Sequence, residues 1–407
     1  MRFYRVSEDW ITHLDGDFRA AILTTLRELG LVRLQKYPPP KINGLPLGNE
    51  PRVFSRFLKG HSSQLDASVF SSVYRSGLSA AEKLLYRAFR QNEALSIDTW
   101  NSIIGVETVA AWIKYKCLRE NGHGLMCQFS VVALDGLVFA VDPLKDHGET
   151  WEPDFIVDDD ISTDPDIEPF FHTYIGQDSL QMIEAMEQLI PSSGGRYLDC
   201  GPGSGGVLLY FSRRFIEAVG IDINARAAKL AQFNADLNQL TSCRTFRDDA
   251  LNLEGRYGKF DVVSWNLPFI FMPAENEDDF IDGFGGELGI GLCLRFIETV
   301  HGLLNDHGTA CVAAMAPILI SGENVLETKL GELLDGLGLD CRIQVAQVSL
   351  AHNRELWQFH RASGVRKFES VYLYLTKGSG KITRLETTAA RKVLDAVREK
   401  MYERKFG

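Results

Sequence analysis

Leu23, Leu26 and Leu29 share one face at helical spacing, so the pattern predicts a helix over 17–29 that stops at Gly30. The run Pro38-Pro39-Pro40 then interrupts regular structure. From Ser79 the helical period returns. Ser79 stands as an N-cap before Ala80, Leu84, Leu85 and Phe89, and further helices are expected over 97–104 and 106–118. The period shortens to two over 125–134 and 137–141, either side of Asp135-Gly136, which is the pattern of a hairpin. Three helices and a two-stranded wing describe a mainly helical, winged-helix-like region over 1–145.

Residues 146–170 are acidic and contain proline, so they read as a linker. Beyond Gly194, strands alternate with helices. Strands are expected at 196–200, 218–222, 242–246, 260–265 and 310–315, with helices at 205–215, 224–240, 291–304 and 323–334. That alternation predicts an α/β fold, a parallel sheet covered on both faces. The last two strands, 342–350 and 370–376, have no helical crossover between them and so form an antiparallel hairpin. The catalytic unit is expected over 171–380, followed by a basic helix over 381–407.

Composition narrows the partners. A chain of 407 residues needs more than one core. No apolar run reaches the ~18 residues that span a bilayer, and the N-terminus lacks the apolar stretch of a secretory signal. The seven cysteines are scattered, without a C-x-x-C pair, which opposes a disulfide framework and a zinc site. A cytoplasmic protein without a metal is expected. The formal charge of −11 argues against a nucleic-acid partner, which wants a basic face. Only 381–405 is basic, with eight Lys/Arg against four Asp/Glu.

The chemistry concentrates at strand ends. In Tyr197-Leu-Asp-Cys-Gly-Pro-Gly-Ser-Gly-Gly206 an apolar strand runs into Asp199, and Gly201, Gly203 and Gly205 precede a helix. Such glycines let a ligand approach the backbone at a helix N-terminus. The pattern G-x-G-x-x-G is shared with dinucleotide sites. A carboxylate at 199 would repel a pyrophosphate but suits the ammonium of an amino-acid moiety. Val219-Gly-Ile-Asp222 ends the next strand with an acid placed to accept ribose hydroxyls. After the third strand comes Arg247-Asp-Asp-Ala-Leu251, where Asp249, directly before Ala250, is the candidate for an adenine amine.

The fourth strand ends in Asp261-Val-Val-Ser-Trp-Asn-Leu-Pro-Phe269. Here the sequence resembles the class I S-adenosylmethionine (SAM)-dependent methyltransferases with an (Asn/Asp)-Pro-Pro-(Tyr/Phe) loop. These include release-factor glutamine methyltransferases and adenine amino-methyltransferases. The resemblance covers about 171–378, with four motifs in family order. It implies a Rossmann-like sheet closed by an antiparallel hairpin, and SAM as cofactor. It also implies that Asn266 and the Leu267 carbonyl accept hydrogen bonds from a target nitrogen, with Pro268 and Phe269 completing the loop. Leu267 stands where the family has proline, and its carbonyl survives that change. Asn266 also borders the cofactor site.

The same resemblance makes 170–180 a cover over the cofactor, with Tyr174 and Gln177 as candidate lining residues. A capping role for Asp178 or Ser179 is the alternative. Glu275, Glu277, Asp278, Asp279 and Asp282 follow the loop and would attract a cationic amine or stand solvated. Residues 352–367, with His352, Trp357 and His360, lie near the acceptor side, and Gly285-Gly-Glu-Leu-Gly289 opens the next helix. The implied reaction is N-methylation of a small molecule such as a metabolite or natural-product intermediate. The N-terminal region would then be a substrate lid or a homodimer surface. Alternatives are RNA or protein glutamine as acceptor, non-methyl SAM transfer or cyclisation, and a SAM-binding protein without turnover.

Overall fold

The computed structural model describes residues 10–31, 78–142, 173–187, 194–253, 255–273, 283–349, 354–385, 395–397, 399–400 and 404. The expected linker over 146–170, the acidic residues Glu275 to Asp282, His352 and most of the basic tail lie outside the described residues.

Helix α1 (Gly16–Glu28) buries Phe18, Ile22, Leu23 and Leu26. Helix α2 (Ala80–Phe89) opens with a full capping box, in which Ser79 Oγ accepts from the Glu82 amide and the Glu82 carboxylate accepts from the Ser79 amide. Helices α3 (Ile97–Ile104) and α4 (Val106–Lys114) follow. The helix expected over 106–118 therefore stops early. Lys116 takes φ 59°, the Cys117 amide bonds back to the Trp112 carbonyl, and Leu118 begins a strand.

Strand β1 (Leu118–Glu120) pairs antiparallel with β2 (Leu125–Cys127), and β3 (Ser130–Leu134) with β4 (Leu137–Val141). The single strand expected over 125–134 is thus two, broken where the Gln128 amide turns to the Cys117 carbonyl. Both β3 and β4 are buried along their whole length. Alternate residues serve two cores. Val131, Val138 and Ala140 pack with Trp10, Trp100 and Trp112, while Val132, Leu134, Phe139 and Val141 pack with Ile183, Leu209 and Phe211. The expected wing is an internal layer.

The rest of the chain supplies α5 (Gln177–Glu187), β5 (Arg196–Cys200), α6 (Gly206–Ser212), β6 (Glu217–Asp222), α7 (Ala225–Leu237), β7 (Cys243–Arg247) and β8 (Phe260–Asn266). Then come α8 (Gly291–Leu303), β9 (Leu304–Leu319), α9 (Val325–Leu337), β10 (Leu339–Ser349), α10 (Arg354–Ala362), β11 (Val365–Lys377) and β12 (Ile382–Arg384). One eight-stranded sheet results, in the order β12-β10-β11-β9-β8-β5-β6-β7. Strands β5 to β9 pair parallel, whereas β11 is antiparallel to both β9 and β10. This is the Rossmann-like sheet with a terminal antiparallel hairpin. An additional edge strand, β12, pairs parallel to β10 at the start of the segment expected to be helical.

The order places the crevice. From β5 the chain steps outward to β6 and β7, then crosses back to β8 on the other side of β5. Ligands of open α/β sheets bind at such a reversal, beyond the carboxyl ends of the strands. Helix α7 faces the N-terminal layer. Its Leu230, Phe233 and Leu237 belong to the same core as Trp10 and Phe129. Its fully buried Asn234 accepts from the Ala140 amide and donates to the carbonyls of Ala140 and Ser204. One amide thereby ties β4 to the glycine loop.

Candidate active site

At the end of β5 the chain enters the glycine loop. Gly201, Gly203 and Gly205 all have positive φ, of 62°, 56° and 90°. The need differs between positions. A Cβ on Gly203 would meet nothing within 4 Å, which leaves open space beside a backbone only glycine adopts easily. A Cβ on Gly205 would lie 2.7 Å from Leu209 Cδ1 and 3.5 Å from Ala231 Cβ, so this glycine lets α6 approach α7.

Asp199 is 2% exposed. Its Oδ1 accepts from Ser264 Oγ at 2.5 Å, and Ser264 in turn shares a hydrogen bond of 2.6 Å with the Tyr197 hydroxyl. Asp199 Oδ2 is buried and has no hydrogen-bond partner among the described residues. Burial pushes this carboxyl up to about 7, the Ser264 hydroxyl opposes that, and the negative charge of Asp222 adds to it. A buried carboxylate oxygen without a described partner, at the strand end that leads into the glycine loop, fits a cationic group supplied by a ligand.

Asp222 ends β6, pinned by two amides. Gly203 N–H donates to Oδ2 at 3.1 Å and Asn224 N–H to Oδ1 at 2.9 Å. The following Ile223 is 66% exposed. The motif around Asp222 does not single it out, and its one signal in the sequence is an apolar residue in the turn directly after the acid. After β7, Asp248 is held by Tyr257 and Arg256, whereas Asp249 receives the Leu251 amide and the Asn252 side chain. Ala250 is buried beside them.

The second loop leaves the neighbouring strand at the same level. Asp199 pairs with Ser264 and Cys200 with Trp265, so Asn266 emerges next to the glycine loop. Leu267 is 1% exposed and belongs to the core that holds α8, while Pro268 and Phe269 are half-buried. The loop is clamped from the chain that follows. Ile270 N–H donates to the Gly283 carbonyl and Gly285 N–H to the Ile270 carbonyl. A Cβ on Gly285 or Gly289 would sit 2.8 Å from Phe269 Cα or 2.6 Å from its carbonyl oxygen. The glycines at 285 and 289 therefore allow this close backing.

Asn266 Nδ2 donates to Asp178 Oδ2 at 2.6 Å, across 88 positions of sequence. Asp178 lies in the first turn of α5, after the half-buried Tyr174 and the buried Ile175. Gln177 opens α5, and its side chain lies outside the described residues. On the other side, His360 of α10 shares a hydrogen bond of 2.9 Å with the Phe271 carbonyl and packs among Phe271, Phe359 and Phe368. Of the expected trio of His352, Trp357 and His360, this residue backs the loop through packing.

Residues 198–284 match the family model described as a methyltransferase domain. Over 181 residues the chain is 27% identical to a protein of Methanocaldococcus jannaschii provisionally named as a protein N5-glutamine methyltransferase, spanning 43% of this chain and 87% of that one. Among solved structures, TYW2 of M. jannaschii in complex with AdoMet shares 14% identity at a TM-score of 0.38, covering 64% of this chain and 94% of that chain. Trm5b of Pyrococcus abyssi shares 13% identity at a TM-score of 0.37, over 64% and 62%. The chain carries a class I SAM-dependent methyltransferase domain. It is an enzyme, and SAM is its cofactor.

Proposed function

We propose that the enzyme methylates nitrogen, and that its acceptor presents an N–H group to the loop Asn266-Leu267-Pro268-Phe269. The observation that carries this reading is the register that sets Asn266 beside the glycine loop, through Cys200 and Trp265. In this reading Asp199 receives the cofactor ammonium, Gly203 leaves room for its backbone-facing side in the turn that Gly201 and Gly205 shape, and Asp222 takes the ribose hydroxyls. Asp249 and Ala250 hold the adenine edge, with Ile223 against its face and Tyr174 above.

When bound, SAM supplies an electrophilic methyl group whose leaving group is a neutral thioether. The protein's task is then alignment more than acid–base chemistry. Asn266 Oδ1 and the Leu267 carbonyl would orient the acceptor nitrogen and bear part of the positive charge that develops on it.

Two acceptors have specific support. The named activity of the archaeal relative supports a carboxamide, as in a glutamine side chain of a protein. The net charge of −11 supports a small amine over a polyanionic nucleic acid. The described N-terminal elements pack on α6 and α7, the cofactor half of the sheet, which supports a bracing role for that region. Among the described residues no helix is long and apolar enough to cross a membrane. All seven cysteines are buried and, among the described residues, form no disulfide with one another, which supports a reducing compartment such as the cytoplasm.

Methyl-labelled SAM should be incubated with the enzyme and, separately, a glutamine-containing peptide, small primary and secondary amines, and an alcohol. Label on nitrogen is expected. Transfer to oxygen or carbon alone would contradict the proposal.

A further inference from the structure

Asp178 and Asn266 form a pair whose consequence for the reaction is directional. An amide side chain has one donor end and one acceptor end. A carboxylate accepts only, so the group facing Asp178 Oδ2 at 2.6 Å is the Nδ2 end of Asn266. That bond leaves Oδ1 as the end Asn266 offers elsewhere. A hydrogen bond to an ionised partner is also stronger than one between neutral groups, so the orientation is held firmly.

The local backbone is shaped for this carboxylate. A Cβ on Gly176 would stand 2.3 Å from Asp178 Oδ1 and 2.8 Å from Tyr174 Cε2. Glycine at 176 therefore leaves the space the Asp178 carboxylate occupies. The sequence alternative for Asp178, a helix cap, places its side chain on its own helix. Asp178 Oδ2 instead accepts from Asn266, at the end of β8.

We propose that Asp178 is a positioning residue for methyl transfer, fixing the Asn266 amide so that Oδ1 faces the acceptor and adding negative potential behind it. The inference rests on the reading of Asn266 as the acceptor ligand. The chain of contacts runs from the acceptor N–H to Asn266 Oδ1, through the amide, and from Nδ2–H to the Asp178 carboxylate. As the methyl–nitrogen bond forms and the sulfonium becomes a thioether, positive charge moves onto the acceptor nitrogen. Asp178 would stabilise that charge through the polarised amide without accepting the proton, which the methylated nitrogen would release to solvent water. The arrangement favours nucleophiles that carry an N–H donor.

The test combines one readout that needs no acceptor with one that does. In asparagine-selective 15N-labelled full-length enzyme, the Asn266 side-chain resonance is identified by its loss in Asn266→Ala. It should shift strongly in Asp178→Ala and in Gly176→Ala, which crowds the carboxylate without removing it. Asp178→Asn, which keeps an acceptor, should shift it less. With a glutamine-containing peptide as methyl acceptor, Asp178→Ala should lower kcat by about tenfold or more, as loss of an outer partner of a functional side chain commonly does. SAM affinity by calorimetry should stay within a few-fold, and Asp178→Asn should recover part of kcat. An Asn266 resonance unmoved in Asp178→Ala overturns the proposal. So does a loss of SAM affinity that accounts for the whole drop in rate. A wild-type enzyme that ignores the peptide defeats the carboxamide reading alone, because the resonance still decides the role of Asp178.

Discussion

Arg226 on α7 grips Asp142, at the end of β4, through two hydrogen bonds of 2.6 and 2.8 Å, with the Asp142 side chain only 1% exposed. The same carboxylate accepts from the Thr173 amide and hydroxyl at 2.8 and 2.9 Å. One carboxylate therefore joins the N-terminal layer, the helix after Asp222 and the segment leading into α5. Removing Arg226 takes a counter-charge away from a buried carboxylate. Arg226→Ala should cost about 3–5 kcal/mol in denaturant unfolding. Asp142→Asn combined with Arg226→Leu should cost less than Arg226→Ala alone. Equal losses would mean that the charge pairing is not what matters there.

The N-terminal layer should prove inseparable from the catalytic domain. Cutting it away exposes Leu230, Phe233 and Leu237 on α7 and strips the β4 partners from Asn234 and Asn238. A fragment beginning near residue 171 is expected to aggregate or unfold on expression, by size-exclusion chromatography and circular dichroism. A monomeric fragment as heat-stable as the full chain would show that the layer is an accessory.

Asp199 makes cofactor binding depend on pH. Its carboxyl titrates near 7 in the free protein, because burial penalises the charge. The ammonium of SAM wants the ionised form. Calorimetry should therefore show affinity rising with pH up to about 7, roughly tenfold per unit, then falling above about 8 as the cofactor's own amino group loses its proton. Asp199→Asn should flatten the lower limb and weaken binding throughout. In the absence of SAM the sign for stability is opposite. The folded value lies above the ordinary carboxylate value, so the stabilisation from this group is full below about 4 and gone above about 7. An affinity independent of pH between 5 and 7 would remove Asp199 from the site.

The parts of this fold that the sequence shows most clearly are those where burial and periodicity agree. Strand β8 and its Asn266 loop are legible because Phe260, Val262, Val263 and Trp265 form a short, mostly apolar stretch that ends abruptly in Asn266 and Pro268. Strand β9 begins earlier than periodicity suggests. Its first turn of sequence, Leu304-Asn-Asp-His-Gly308, is polar, and a register shift opposite Phe260 and Val262 accommodates it, with Asn305 donating to Asp261. The short edge strand β12 hides in a basic tail because an edge needs little apolar character. The link between Asp178 and Asn266 leaves no local trace at all. It joins a helix start to a strand end, and only the order of strands in the sheet brings them together. The hairpin over β3 and β4 is visible in the sequence, and its apolar residues on both faces, which a solvent-facing wing would not carry, are the signal of its burial between two cores.

The most direct test lies at Asn266. In Asn266→Ala, SAM affinity measured by calorimetry should remain within a few-fold of wild type. Single-turnover transfer from bound, methyl-labelled SAM to the acceptor identified in the panel should fall by ~10²-fold or more, the usual cost of removing one preorganised polar group at a reacting centre. That split would assign Asn266 to the acceptor. A collapse of SAM affinity with undiminished transfer from the SAM still bound would make Asn266 a cofactor ligand and contradict the site as built here.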